Sequence, residues 1–460
     1  MGINQLIYFI IHHMKYLIIL TSLFLFACNT TKTIVKQKED TNAIKGYKKY
    51  NPQTGQYEWV SEDPAKVIDT IKTNTTPIDN TKNTKEAIVK GLNRAIKVAV
   101  ILPFYADQNH DGEPIFTKST WATNFYGGMK IALDSLVKKG ISIDIRVFDD
   151  KASETELNKI LLYEDVKNAD LIIGPAGKSN LKIAANFAKT KGIPLVSPYN
   201  PADDITTNNP NYIQINPSLK SHCIAIVEDI YSHYKTPNIT IISRNKPTET
   251  ATYNYFINHI NSIYSNIVPI HKLTIDEETN GISKTDLDVC FSENRQNVII
   301  IPSWSNEPFV AALLQRIEAN RKGTPINVYG MPQWSSFDLL SHDLLTKLNT
   351  RITTSNPLDI PSPQTKEFKK LFFEKYHTIA TDESIVGFDV TYLMIQMLKK
   401  YGKDFTNHLG EKNLMGFTSK YIFDKINDNP IESTNLKGIQ RFENKSIQIL
   451  KYQDGGFRLE

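Results

Sequence analysis

Two sets of residues in this 460-residue chain could do chemistry. The first is a single cysteine, Cys28, closing the apolar run Tyr16–Leu25 through Phe26-Ala27. A thiolate is the nucleophile that accepts an acyl-bearing group, and acyl chains hold a protein at a membrane. The second set follows six apolar runs: Tyr105, Ser179, then Ser197, Tyr199 and Asn200, then Arg244, Trp304 and Trp334. Hydroxyl and amide groups can hold the polar atoms of a small molecule, a guanidinium can pair with a carboxylate, and indole or phenol rings can stack. Catalytic signatures are missing. There is no Gly-x-x-x-x-Gly-Lys-Ser/Thr, no His-Glu-x-x-His and no Gly-x-Ser-x-Gly, and the histidines lack metal-ligand spacing. Asp149-Asp150 and Asp203-Asp204 read as caps or turns rather than acid–base pairs. The chain therefore reads as a binder without a cofactor, not an enzyme.

These residues need elements to position them. Val98–Leu102 is a continuous apolar run, as expected for a strand buried on both faces. Phe125, Met129, Leu133 and Leu136 share one helical face, closed by Gly140. Ile141, Ile143, Ile145 and Val147 alternate as a strand. Ser153 and Glu156 form a capping box, and Ser179 is expected to cap the helix that Gly192 stops. Strands at Asp170–Gly174 and Ile193–Ser197 complete a first strand–helix alternation. It restarts with a helix near 219–233 and strands at Asn238–Ser243, Val268–Leu273, Asn297–Ile301 and Ile326–Gly330. Leu287, Cys290 and Phe291 mark a further helix face, and Phe309–Ile317 another helix. Two helices follow 352, and the chain ends in β-rich sequence. The pattern predicts two α/β lobes with parallel sheets. Ligands of such sheets bind at the carboxyl ends of the strands, which selects the second set above.

Lys+Arg number 53 against 49 Asp+Glu, a net charge of +4, which argues against a nucleic-acid binder with a concentrated basic face. Residues 29–94 are poor in apolar clusters and read as a flexible linker, with a turn and short strands around Tyr50–Tyr57. Cys223 and Cys290 fit either a disulfide or two buried thiols.

Two resemblances add to this. Met14-Lys15, the apolar run and Leu25-Phe26-Ala27-Cys28 resemble a signal peptide with the lipobox of a bacterial lipoprotein, which implies residues 1–28 as leader and Cys28 as the lipidated residue. Val98–Pro103 with Phe125–Ala132, Asp170–Pro175 with Ile193–Pro198, Gly387-Phe388-Asp389 and the β-rich end resemble the type 1 periplasmic-binding-protein family, in its leucine/amino-acid-binding branch. The lipoprotein start and Leu102–Tyr105 also look like Bacteroidota envelope lipoproteins. The resemblance implies two Rossmann-like lobes joined by three crossovers: lobe 1 as 95–216 plus 355–405, lobe 2 as 217–354 plus 406–460. It implies a solute-binding protein that delivers an amino-acid-like ligand to an ABC permease, with Ser179 and Asn200 holding the carboxylate and amine. Tyr199 and Pro201 depart from the amino-acid pattern, where a small residue and a Thr are expected. The second reading is a non-transport envelope lipoprotein that binds a peptidoglycan synthase or glycan. Asn29 is not the aspartate that retains lipoproteins at some inner membranes, so a periplasm-facing outer-membrane anchor is expected.

Overall fold

The computed structural model describes residues 46–51, 56–61, 92–110, 112–264, 268–276, 281–355, 362–411, 414–426 and 441–460. The leader, Cys28 and most of the expected linker lie outside them. The chain divides into two compact units, Met1–Asn80 and Thr81–Glu460. In the first, β1 (Gly46–Asn51) pairs antiparallel with β2 (Gln56–Ser61), matching the expected hairpin. Everything below concerns the second.

Its first sheet is built from β3 (Ile96–Leu102), β4 (Ile143–Asp149), β5 (Leu171–Ile173), β6 (Leu195–Ser197) and β7 (Tyr212–Gln214), all parallel. The second holds β8 (Asn238–Arg244), β9 (Ile270–Ile275), β10 (Asn297–Ile300), β11 (Ile326–Tyr329) and β12 (Arg351–Thr354), also parallel. Two short strands, β13 (Leu414–Met415) and β14 (Lys420–Tyr421), form a hairpin. Then β15 (Phe423–Ile426) and β16 (Arg441–Asn444) complete the first sheet, and β17 (Gln448–Gln453) and β18 (Gly456–Leu459) the second. Each sheet has seven strands, in the orders β15-β16-β7-β6-β5-β3-β4 and β18-β17-β12-β11-β10-β8-β9. Two lobes of this kind are the type 1 periplasmic binding fold.

The strands carry runs such as Val98–Leu102 because both sheet faces are covered. Helices α1 (Thr120–Lys138) and α8 (Asp382–Tyr401) pack over one face of the first sheet, where Phe125, Met129, Val390 and Met394 bury with Val100 and Val196. Helices α2 (Glu154–Ile160) and α3 (Lys178–Lys191) cover the other, with Leu157, Leu181 and Ala185 in contact with Ala99 and Leu195. In the second lobe, α4 (Leu219–His233), α5 (Pro247–Tyr264) and α6 (Glu307–Asn320) enclose a core that includes Ile226, Phe256, Val298 and Leu313. Helix α7 (Pro363–Tyr376) joins Phe368 and Phe372 to Ile131 and Phe388. Ser153 caps α2 by accepting the Glu156 N–H, and Gly192 ends α3 at φ 64°, as expected.

Four expectations need correction. Residues 423–426 and 441–444 belong to the first sheet, because Phe442 and Glu443 pair with Ile213 and Gln214; the third crossover is therefore at 445–447, not near 405. The face at Leu287, Cys290 and Phe291 is one 3-10 turn, Asp288–Cys290, too short to continue as a helix. Strands β7 and β12 went unexpected: they are three and four residues long and carry Gln214, Arg351, Thr353 and Thr354 rather than an apolar run. Ser179 does not cap α3; Gly177 occupies that position, and Ser179 is an exposed residue in the helix's first turn. Cys223 and Cys290 are both buried free thiols in the second core.

Candidate functional site

Both sheets deliver their strand ends to loops that the sequence uses with little slack. After β3, Asp149 gathers the chain: its Oδ1 accepts the N–H groups of Phe104 (2.9 Å) and Tyr105 (3.1 Å), and its Oδ2 that of Ala106 (2.8 Å). Tyr105 is thereby held at φ 47°, with its ring edge-on to Phe116 at 5.4 Å. Asn109 fixes the far side of the loop by donating to the Phe104 and Tyr105 carbonyls, each at 3.0 Å. The neighbouring Asp150 is buried, which raises its pKa, and accepts from Asn180 Nδ2 at 2.6 Å. That bond ties the first turn of α3 to the loop after β4. The paired carboxylates are thus structural, as their loop positions implied.

The loop after β6 is fastened in the same way. Asn200 is buried; its Nδ2 donates to the Ala176 carbonyl (3.4 Å) and its Oδ1 accepts the Ala202 N–H (3.0 Å). The loop that leads into α3, the helix carrying Ser179, therefore adjoins the loop carrying Tyr199. Ser197 is fully buried and its hydroxyl has no partner among the described residues. Tyr199 is 49% exposed, with its ring 4.8 Å from that of Trp121, which stacks on Phe125 at 5.1 Å.

In the second lobe the expected ligand groups are largely committed to the protein. Arg244 is buried, and its Nε and backbone N–H donate to the two carboxylate oxygens of Glu249 at 2.8 and 2.7 Å. Trp334 is 1% exposed and donates through Nε1 to the Ser303 carbonyl at 2.9 Å, so it packs the lobe rather than presenting a ring. The sequence pattern selected these two by position alone and carried no sign of the partners that occupy them. Trp304 is half-buried at the strand end, against the second core.

Where the chain passes between the sheets, a cavity of about 260 Å³ is lined by Pro201, Asn216, His222, Gln333, Thr353 and Ser355, among others. None of the eight residues selected from sequence lines it; Gln333 and Pro201 are their near neighbours. Asn216 stitches this hinge: its Nδ2 donates to the Tyr199 carbonyl at 3.0 Å and its Oδ1 accepts from Ser355 at 3.5 Å. Beside it lies a polar hub the sequence did not disclose. Glu443, fully buried at the end of β16, accepts the Ser218 N–H (2.9 Å), the Ser218 and Ser221 hydroxyls (2.7 and 2.6 Å) and the Lys445 ammonium (2.9 Å) on one oxygen. Arg441 meets the other oxygen at 3.0 Å. Burial acts to raise the Glu443 pKa, but Lys445 and the serine donors outweigh it and hold the pKa at about 2. Ser218 is the N-cap of α4, so a carboxylate on the first sheet anchors the first helix of the second lobe.

His222, one residue after Ser221, is buried, and its Nδ1 lies 2.9 Å from Thr353 Oγ1. Burial pushes its pKa down to about 4. The folded form thus binds fewer protons than the unfolded chain between that value and the ordinary one of about 6.5. Stability should therefore fall as pH drops from about 6.5 towards 4, and His222→Gln should flatten that part of the melting-temperature profile. A variant whose profile matches the parent across this window would contradict the assignment.

Residues 127–435 match the family described as the receptor family ligand binding region. The chain belongs to that family. Solved structures agree on the fold. A Rhodospirillum rubrum protein described as a branched-chain amino acid ABC transporter is 15% identical, with TM-score 0.60, over 80% of this chain and 100% of its own. An ABC-type branched-chain amino acid transporter from Rhodopseudomonas palustris is 14% identical, with TM-score 0.57, over 79% and 95%. A substrate-binding protein of an ABC transporter from Desulfitobacterium hafniense, solved with Leu, is 14% identical, with TM-score 0.53, over 80% and 100%. No curated protein matches. As a member of this family, the chain carries a two-lobed ligand-binding region.

Proposed function

We propose that this chain is a lipid-anchored, extracytoplasmic solute-binding protein that captures a small polar solute between its lobes and hands it to an ABC importer. The observation that carries the reading is the hinge. Among the described residues the chain passes between the two sheets three times, and the strand-end loops of both lobes adjoin a cavity there. Such a geometry permits one lobe to close on the other about a few backbone positions. The transporter proteins with the same fold support it. Amino-acid-like solutes are the first class to test, with Tyr105, Ser179, Tyr199, Asn200 and Trp304 as the contacts. No step here is catalytic. Among the described residues no helix is long and apolar enough to cross a membrane. Anchoring is assigned to Cys28, and Cys28→Ser should move the protein from the membrane fraction to the soluble envelope fraction. A thermal-shift screen of amino acids, peptides and sugars tests capture: ligand at 100 times its Kd adds about 2.7 kcal/mol to stability.

The cavity itself favours a second reading. At about 260 Å³ it falls below the roughly 300–1,000 Å³ of ordinary ligand pockets. A non-transport lipoprotein that docks a peptidoglycan synthase needs no such pocket. Its mark would be cross-linked capture of a synthase with no solute shifting the melt.

A further inference from the structure

Resting on the reading of Cys28 as a membrane anchor, we infer that the pole of the first lobe away from the hinge docks on a bilayer surface of anionic phospholipid headgroups. Helices α1 and α8 run back along the sheet, so their last turns, and Ile141 just before β4, lie at the amino ends of the strands. An open groove of about 450 Å³ forms there. Leu136, Leu393 and Met397 make its buried floor, and Met415 stands 55% exposed at its edge. Lys139, Lys399 and Lys400 are exposed around it, and no acidic residue lines it. The loops proposed to hold a solute lie at the opposite, carboxyl ends of the same strands.

Charge is the first ground. Lys139 donates to the Tyr392 hydroxyl and lies 4.9 Å from the centre of that ring. Lys399 donates to the Leu92 carbonyl at 2.9 Å, and Lys400 lies 4.6 Å from the centre of the Tyr401 ring. These partners are neutral, and among the described residues no carboxylate forms an ion pair with any of the three. Across the helix ends 136–141 and 392–404 the sequence holds five lysines and one carboxylate, Asp404. Glu411, the acid whose charge reaches Lys400, is taken by His408 at 2.6 Å. Asp170 is buried against Arg94 at 2.7 Å. Phosphate headgroups supply the anions that the groove lacks. The second ground is where the chain leaves. Leu92, whose carbonyl Lys399 holds, opens the described part of the second unit, and the chain before it leads back to Cys28. The tether thus departs from the rim of the groove, and the anchor draws this pole to the bilayer. Tethering makes the contact intramolecular, so a weak attraction per lysine suffices. The flexible thioether of Met415 suits the apolar side of the headgroup layer. A partner protein would not explain why groove and tether share one rim.

The lipidated protein, reconstituted in vesicles of phosphatidylcholine alone or with about a third phosphatidylglycerol, tests this. A spin label at Met415→Cys reads access to a water-soluble relaxing agent, with Lys182→Cys on the opposite pole as control; Cys223 and Cys290 are buried and do not compete. The label at 415 should lose access in the anionic vesicles and keep it in the neutral ones, while the label at 182 keeps it in both. Each lysine at such a surface is worth about fivefold, so Lys399→Glu combined with Lys400→Glu should weaken docking by more than about tenfold and restore access. Salt at about 0.5 M should do the same to the unmutated lysines, a readout independent of any effect of the substitutions on folding. Equal access at 415 in the two kinds of vesicle, with the protein retained on both, would overturn the docking and leave the anchor standing. Protection at 415 that ignores lipid charge and grows with protein density would assign the groove to a second copy and overturn the inference. Release of the protein from neutral vesicles would overturn the anchor, and with it the inference that rests on it.

Discussion

Glu443→Ala should cost this protein about 3–5 kcal/mol, among the largest losses any single side chain here can produce. The carboxylate is fully buried and satisfies Ser218, Ser221, Arg441 and Lys445 at once. Its removal leaves Arg441, itself buried, without its carboxylate and strips the acceptor from the α4 cap. The expected readout is a lower urea midpoint, with Ser221→Ala losing only about 1 kcal/mol as a single-donor control. The pH dependence has a definite sign. Glu443 is held at about 2, below the ordinary glutamate value near 4.3, so its contribution is present above the unfolded value. It is lost as pH falls through about 2. The shift corresponds to about 3 kcal/mol, the same order as the truncation estimate. Equal urea midpoints for Glu443→Ala and the parent would remove the hub from the account.

The second large effect concerns the crossing of α1 and α8. A Cβ on Gly128 would stand 1.7 Å from the Ser384 carbonyl oxygen, and one on Gly387 would stand 2.0 Å from that of Phe125. These are backbone atoms, which cannot swing aside as a side-chain tip does. The two glycines let the helices approach in reciprocal fashion, one notch from each. Gly128→Ala must push α8 outward and open the packing of Phe125, Met129 and Val390 against the first sheet. The expected loss is about 3 kcal/mol or more, at the upper end of overpacking, with reduced soluble yield. Gly177→Ala is the matched control: its Cβ would meet nothing within 4 Å, and its φ of −72° suits any residue. A near-neutral Gly128→Ala would mean that the helices do not cross at this distance.

Much of this architecture could be read in the residues. The apolar run Val98–Leu102, the capping pair Ser153 and Glu156, and Gly192 each announce one element through a local mechanism, and those elements appear in place. Segments whose identity depends on distant partners were silent. Tyr212–Gln214 and Arg351–Thr354 are strands because they fill gaps between neighbours, not because of an apolar pattern. Residues 423–426 and 441–444 join the first sheet rather than the second, because strand choice between two sheets is a tertiary decision. The same divide runs through the site. Of the residues selected by strand-end position, Tyr199 and Ser179 are exposed. Position could not show that Glu249 neutralises Arg244, that Trp334 is sealed behind Ser303, or that Asp389 is spent on Phe417 and Thr418. Those partners lie on other helices or loops, and nothing in the spacing marks them. The hinge hub escaped for the same reason: Glu443 and Ser218 are more than 220 positions apart.

The central claim is that the two lobes close on a solute. Cysteines placed at the exposed Lys182 of the first lobe and Lys246 of the second can carry spin labels, since Cys223 and Cys290 are buried; Cys28→Ser removes the remaining thiol. Dipolar distances should be recorded with no addition, with leucine and with each solute that raises the melting temperature in the thermal-shift screen. The account predicts one broad distribution in the unliganded protein that shifts to a shorter, narrower one when a solute of the correct class is added. An interlobe distance that stays the same with every compound that raises the melting temperature would contradict it.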